Sequence, residues 1–226
     1  MYQFGLPHQS PWIYRKMPTI KYIGKGFDKK RFPQANGSHQ VSISPVQLYW
    51  GLLTIGISHW WELTGVRPFL NSSGIMLSAI ATLSTKNGIW IPAQHYNNLT
   101  PDEKRINTYR LGLGFAKVIA MKKLNVGPVV DTAVFERTHR VKHRGRRRSD
   151  LIGSSSNGKW FVIEVKARRN TSDIDWVEVK KQAKSISTID GESPAASAGI
   201  ATLIFPNQIS VEARDPKGDG RKLEFP

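Results

Sequence analysis

The stretch Trp160-Phe161-Val162-Ile163-Glu164-Val165-Lys166-Ala167-Arg168 constrains this chain more than any other. In an extended strand successive side chains point to opposite faces. Phe161, Ile163, Val165 and Ala167 then make one wholly apolar face. Trp160, Val162, Glu164, Lys166 and Arg168 make the other. The flanking sequence predicts the rest of the layer. Thr100-Pro101-Asp102-Glu103 is a helix start, with Thr at the N-cap, Pro at the first position and Glu closing a capping box. Ile106, Tyr109, Leu113, Ala116, Ala120 and Leu124 follow at helical spacing, and Lys122 and Lys123 suit the negative end of the helix dipole. Gly112 and Gly114 each cost roughly 1 kcal/mol inside a helix, which points to close packing against a sheet. Val129 to Phe135 reads as a strand and Leu151-Ile152 as a short one. Ser154 to Gly158 reads as a turn. Ser172-Asp173-Ile174-Asp175 opens another helix, and Ile200–Phe205 and Ile209–Ala213 are strands. Helix, three strands, helix, strand predicts an α/β fold with a mixed central sheet flanked by helices over residues 100–226.

Residues 1–99 read differently. The first forty are rich in Pro, Gly and basic residues and predict little regular structure, with Lys25 to Arg31 as a basic arm. Ser44-Pro45-Val46-Gln47 starts a helix expected to reach about Ile57, and a second is expected from Ser72 to Ser84. Lys86-Asn87-Gly88 marks a turn and Ile89-Trp90-Ile91 a short extended segment. Trp50, Trp60 and Trp61 are expected mostly to pack between helices. The expectation is a mainly helical accessory region, joined to a second domain at residue 100.

Charge narrows the partners. The 226 residues carry 33 Lys and Arg against 17 Asp and Glu, a formal charge of +16. That favours polyanions, with nucleic acid ahead of an anionic membrane surface. The absence of cysteine excludes disulfides, thiolate zinc sites and iron–sulfur clusters. The apolar stretch Leu48–Ile57 is too short to span a bilayer. No signal peptide is evident, so a cytoplasmic protein with no membrane partner is expected.

Asp150, Glu164 and Lys166 are the candidate catalytic residues. Glu164 and Lys166 share a strand face, and a hairpin through the Ser154–Gly158 turn would bring Asp150 beside Glu164. Two carboxylates can hold Mg²⁺ while leaving positions for water and phosphate oxygen. A lysine beside them can orient or help deprotonate an attacking water, or stabilise developing negative charge. Ser149-Asp150, thirteen residues, then Glu164-Val165-Lys166 resembles the signature of the PD-(D/E)XK nucleases, with the restriction-endonuclease-like αβββαβ core covering about residues 100–213. Ser149 stands where the signature has Pro. The resemblance implies a Mg²⁺-dependent phosphodiesterase, in which Mn²⁺ can substitute, acting on DNA and less often on RNA. Asp150 and Glu164 would be metal ligands and Lys166 the catalytic lysine. Many such proteins add an acidic residue on the leading helix. Glu103 is the candidate here, although capping also accounts for it. Gln182 resembles the Gln of a Gln-x-x-x-Tyr element whose Tyr is missing.

The run His139-Arg140-Val141-Lys142-His143-Arg144-Gly145-Arg146-Arg147-Arg148 leads directly into Asp150. Arg140, Lys142, Arg144, Arg146, Arg147 and Arg148 are expected to contact backbone phosphates, with Arg168 and Arg169 extending that surface. His139 and His143 lie four apart, but no H-E-x-x-H motif joins them. Double-stranded DNA is the favoured partner. A two-fold homodimer would place two sites on a duplex, and the N-terminal region could bind a partner protein, recognise DNA or buttress the nuclease. Phage defence or restriction, transposition and repair are compatible settings. The alternatives are a non-catalytic nucleic-acid-binding protein on the same fold, an RNA-directed nuclease and an antibacterial toxin.

Overall fold

The computed structural model describes residues 17–57 and 66–215. The strands are β1 (Thr19–Lys25), β2 (Gly37–Ser42), β3 (Leu83–Lys86), β4 (Ile89–Pro92), β5 (Val126–Asp131), β6 (Val141–His143), β7 (Leu151–Ser155), β8 (Trp160–Arg168), β9 (Ile186–Ile189), β10 (Ala196–Phe205) and β11 (Gln208–Arg214). The helices are α1 (Pro45–Leu53), α2 (Val66–Ala81), α3 (Pro101–Lys123), α4 (Thr132–Phe135) and α5 (Trp176–Ala183).

Nine strands form one mixed sheet in the order β3-β4-β1-β11-β10-β8-β7-β5, with β2 also paired to β1. From β5 through β7 to β8 the pairing is antiparallel. The chain then crosses over through α5 to β10, which lies parallel to β8. Strand alternation in β8 holds. Phe161, Ile163 and Val165 join the main core with Leu111, Phe115 and Ile119 of α3. On the opposite face Val162 packs with Ile152, Phe135, Ile186 and Ile189, while Val179 of α5 packs with Ala201 and Leu203 of β10. The last two residues of the Val162 cluster belong to β9, which pairs with β6 as a separate two-stranded ribbon. Helix α3 therefore covers one face of β8, and α5 with the ribbon covers the other.

Both capping boxes form. The Ser44 hydroxyl accepts from the Gln47 N–H at the start of α1, and the Thr100 hydroxyl accepts from the Glu103 N–H at the start of α3. The two helix glycines have different reasons. A Cβ on Gly112 would stand 2.6 Å from the Ala167 Cβ of β8, whereas one on Gly114 would stand 2.7 Å from Leu52 of α1. Gly112 thus sets how closely α3 approaches the strand that carries Lys166.

The N-terminal expectation needs correction. Residues 17–57 and 66–99 contribute four strands as well as two helices, so this part of the chain is not mainly helical. β1 lies inside the sheet, parallel to β11 with Tyr22 opposite Val211. Its pattern explains why: Ile20, Tyr22 and Gly24 are buried while Lys21 and Lys25 are exposed. The basic and glycine residues masked that alternation in the sequence. The basic arm is likewise tied down. Lys25 pairs with Glu212 at 3.0 Å, and Arg31 Nη1 donates to the Ala195 carbonyl at 2.7 Å. Sheet and core both run across residue 100, since Ile20 and Ile43 share one core cluster with Ile163 and Val211. Trp50 is also unlike its expectation, being 55% exposed. Trp60 and Trp61 lie outside the described residues. The expected strand Val129–Phe135 stops at Asp131, whose carboxylate accepts from the Ala133 N–H and turns the chain into α4. No described helix is long and apolar enough to cross a membrane.

Alanine at Gly112 is expected to lower unfolding free energy by about 1–3 kcal/mol through overpacking against β8, although alanine by itself favours a helix by ~1 kcal/mol. Urea denaturation measures this; a net gain in stability would contradict the close approach as the reason for the glycine.

Candidate active site

The hairpin does what the spacing requires. β7 pairs with β8 so that Leu151 lies opposite Ile163 and Ile152 opposite Val162. One step further along the register sets Asp150 opposite Glu164. Asp150 Oδ2 accepts the Val165 N–H at 2.8 Å, which fixes its carboxylate against β8. Glu164 is 2% exposed. Its Oε1 accepts from Lys166 Nζ at 2.6 Å, and its buried Oε2 has no hydrogen-bond partner. Lys166 Nζ also donates to Gln182 Oε1 at 2.7 Å.

Gln182 sits near the end of α5, and its backbone carbonyl accepts from the Ser149 hydroxyl at 2.7 Å. One residue of α5 therefore holds both the lysine and the turn that carries Asp150. Ser149, at the position where the signature has Pro, is 2% exposed and lies 3.0 Å from the Ser185 hydroxyl. A proline there could not make either contact.

Tyr109 of α3 completes the cluster. Its hydroxyl donates to Asp150 Oδ1 at 3.4 Å. Burial, followed by the negative charges of Asp150 and Asp131, raises its pKa, so the phenol remains a donor. The sequence assigned Tyr109 to the apolar stripe of α3; its helical phase was the available signal that it faces the sheet. Glu103 is not part of this cluster by any contact. Its carboxylate accepts from the Thr100 N–H and hydroxyl, both at 2.8 Å, and helix capping occupies it. Asp131 contributes charge to Asp150 and Tyr109 while its own Oδ1 caps α4. Among the described residues no set of three or more His, Cys, Asp and Glu side chains is gathered around a common point.

The electrostatics of the carboxylate pair are unfavourable as they stand. Burial raises the Asp150 pKa, against the lowering effect of the Val165 N–H and Lys166. Burial, then the Asp150 charge, pushes Glu164 up to about 7. Glu164 Oε2 has no donor while both carboxyls are ionised, and the two can meet only by sharing a proton, which also raises the Glu164 pKa; two adjacent acids with one lysine thus make an oxygen donor set short of positive charge. Hard divalent cations are held by such a set, Mg²⁺ commonly by one or two carboxylates with water completing the shell. Asp150 and Glu164 fit that group.

Five of the eight basic residues singled out above line two clefts. Arg144, Arg146 and Arg147 line one of about 370 Å³ together with Lys181 and Gln182. Arg168 and Arg169 line another of about 780 Å³ with Lys104, Arg105 and Tyr109. That run is also held in place. Arg148 pairs with Glu136 at 2.8 Å, Arg147 pairs with Glu178 of α5, and the Arg140 N–H donates to Asp190 at 2.9 Å. Lys142 is exposed on β6, where it lies opposite Thr188. The histidines have structural partners: His139 stacks on Phe135 with ring centres 3.9 Å apart, and His143 bonds Glu136.

Comparison with protein-family models, with curated proteins and with solved structures finds no significant match to this chain.

The raised Glu164 pKa has a measurable consequence. Its folded value, about 7, lies above the ordinary 4.5. Between those values the native state keeps a proton that the unfolded chain has released. Stability from this group is full below pH 4.5 and is lost as pH rises through 7. Thermal melts of metal-free protein should show a fall in Tm across this window that is smaller in Glu164→Gln. Millimolar Mg²⁺ should raise the wild-type Tm at neutral pH, because a ligand bound to the native state stabilises it. Identical pH profiles for the two proteins would refute the assigned environment.

Proposed function

We propose that the protein is a divalent-metal-dependent nuclease that hydrolyses DNA phosphodiester bonds at Asp150, Glu164 and Lys166. The observation that carries this reading is the buried Glu164 carboxylate, with an unpartnered Oε2 beside Asp150 and Lys166 bonded to its other oxygen. The element order supports it. Helix α3, strands β5, β7 and β8, helix α5 and strand β10 follow the helix, three strands, helix, strand order expected of such a core, with α4, β6 and β9 inserted among them. The antiparallel pairs β5–β7 and β7–β8 and the parallel pair β8–β10 are consistent with that core. The net charge of +16 and the two cation-lined clefts suit a polyphosphate substrate.

Asp150 and Glu164 would hold Mg²⁺, with Mn²⁺ as a substitute. When bound, the cation supplies Lewis acidity toward water and phosphate oxygen. The protein supplies the positioning. The Val165 N–H and Tyr109 hydroxyl fix the two Asp150 oxygens. Gln182 and Glu164 hold two of the three Lys166 N–H groups. The remaining N–H would be available to an attacking water or a phosphate oxygen, where it would orient the nucleophile or offset charge that grows in the transition state. The arginines of both clefts bind flanking phosphates, which positions a strand without reading its sequence.

Purified protein is expected to nick supercoiled plasmid with Mg²⁺ and to stop in EDTA. Lys166→Ala and Asp150→Ala should each lower the rate about 10²–10⁴-fold, and Gln182→Ala about 10–100-fold as the loss of an orienting partner. Parallel single-stranded DNA and RNA substrates test the substrate class. Cleavage that survives both Asp150→Ala and Glu164→Ala would remove this site from consideration.

A further inference from the structure

We infer that the cleft beside Tyr109 receives an unpaired nucleotide of the DNA strand held at the carboxylate pair; this rests on the nuclease reading above. The cleft has a volume of about 780 Å³, inside the ~300–1,000 Å³ range of sites that enclose small ligands. It adjoins the carboxylates through Tyr109, which lines it and donates to Asp150. Ala167 lines it from the α3 face of β8, opposite the face that carries Lys166, and Arg168 lines it from the end of the strand.

The wall chemistry is mixed in a way that selects the ligand. Ile106 and Tyr109 stand on α3 at 44% and 45% exposure, and Tyr96 and Ala167 add buried apolar surface. Cations sit around them. Arg169 follows Arg168 on one side, while on the other Lys104 and Arg105 rise from the first turns of α3. Lys104 Nζ is bonded to the Asn97 carbonyl at 2.7 Å, Arg105 pairs with Asp102 at 3.3 Å, and Arg168 Nη1 is bonded to the Ala167 carbonyl at 2.9 Å. The first two contacts lie at the surface, Arg105 being exposed and Lys104 half-buried, and can be exchanged for phosphate at little cost. Asp173 is the acidic residue in the lining.

A duplex presents its phosphates outward and keeps its bases stacked inside. It would engage the rim cations and leave the apolar recess unfilled. An unpaired nucleotide offers both parts, a phosphate for the rim and a base and sugar for the recess. Single-strand-binding grooves combine the same two elements, cations along the backbone and aromatic or apolar surface under the bases. A flap, an overhang or a locally opened strand next to the scissile bond supplies such a nucleotide. The preferred substrate is therefore a DNA junction between paired and unpaired strand, ahead of a continuous duplex.

The test is fluorescence anisotropy in EDTA, so that no strand is cut. It compares a blunt duplex with the same duplex carrying a short single-stranded overhang, and an RNA overhang as a further arm. Wild-type protein is expected to bind the overhang about tenfold tighter, the order of one stacked base. Ile106→Trp fills the recess without changing charge and should bring overhang binding down to the blunt-duplex level. Arg169→Gln, at an exposed position, should reduce the preference in the same direction and stands in if the tryptophan variant does not fold. Equal affinity of wild type for both DNAs, or a preference unchanged in both folded variants, overturns the cleft assignment while Mg²⁺-dependent plasmid cleavage still stands. An RNA overhang bound in preference to DNA overturns the DNA commitment. Failure to bind any oligonucleotide, together with failure to cleave, overturns the cleft and the nuclease reading at once.

Discussion

β8 is covered on both faces, and two charged residues on it must be accommodated there. Helix α3 buries Phe161, Ile163 and Val165, while α5 and the β6–β9 ribbon close over Val162 and its neighbours. Glu164 cannot turn toward solvent from this position and is 2% exposed. A buried carboxylate needs partners, or it gives up its charge. Lys166 meets one oxygen, and the other is left without a donor. The rest of the proposed site follows from this arrangement. Asp150 is set against Glu164 by the hairpin register, Gln182 braces Lys166, and Ser149 ties the Asp150 turn to the same helix.

Such an arrangement trades stability for readiness. Two neighbouring acids in a poorly solvated place raise each other's cost of ionisation, as the elevated Glu164 value shows. A hydrophobic pair would pack there with less strain. Perturbed carboxylates of this kind concentrate at functional sites, although structural networks also produce them. Tyr109 bears on this distinction. Its hydroxyl is aimed at Asp150 while the ring stands partly exposed in a cleft. A purely structural tyrosine would not need both.

Legibility followed the local signals. The strand Trp160–Arg168, the capped helix at Thr100 and the hairpin between them were readable because period, caps and turn residues are local. Glu164 and Lys166 on one face, and Asp150 near them, followed from alternation and loop length. Tyr109 and Asp131 were not readable as neighbours of Asp150, because that requires knowing how α3 and β5 dock on the sheet. Gln182 stands out in the sequence by resemblance alone, and its contact with Lys166 depends on where the crossover helix lands. β1 was missed for another reason. Lys21, Gly24, Lys25 and Gly26 look like loop when scored residue by residue, yet every second position is buried. The two-cleft division of the arginines is invisible in the sequence because Arg144 follows β6 of the ribbon while Arg168 ends β8 of the main sheet.

The pairing of β1 with β11 carries a consequence for how the protein is made. Thr19–Lys25 leaves the ribosome roughly 190 residues ahead of Gln208–Arg214. At ~5–20 residues per second that interval is on the order of ten seconds or more. During it β1 can hold its β2 hairpin partner but has an unfilled edge where β11 belongs. Open edges of this kind recruit other strands. Folding rate falls as contacts become more distant in sequence, and this contact is among the most distant in the molecule. Charged side chains on an edge strand discourage such pairing, and β1 carries two, Lys21 and Lys25.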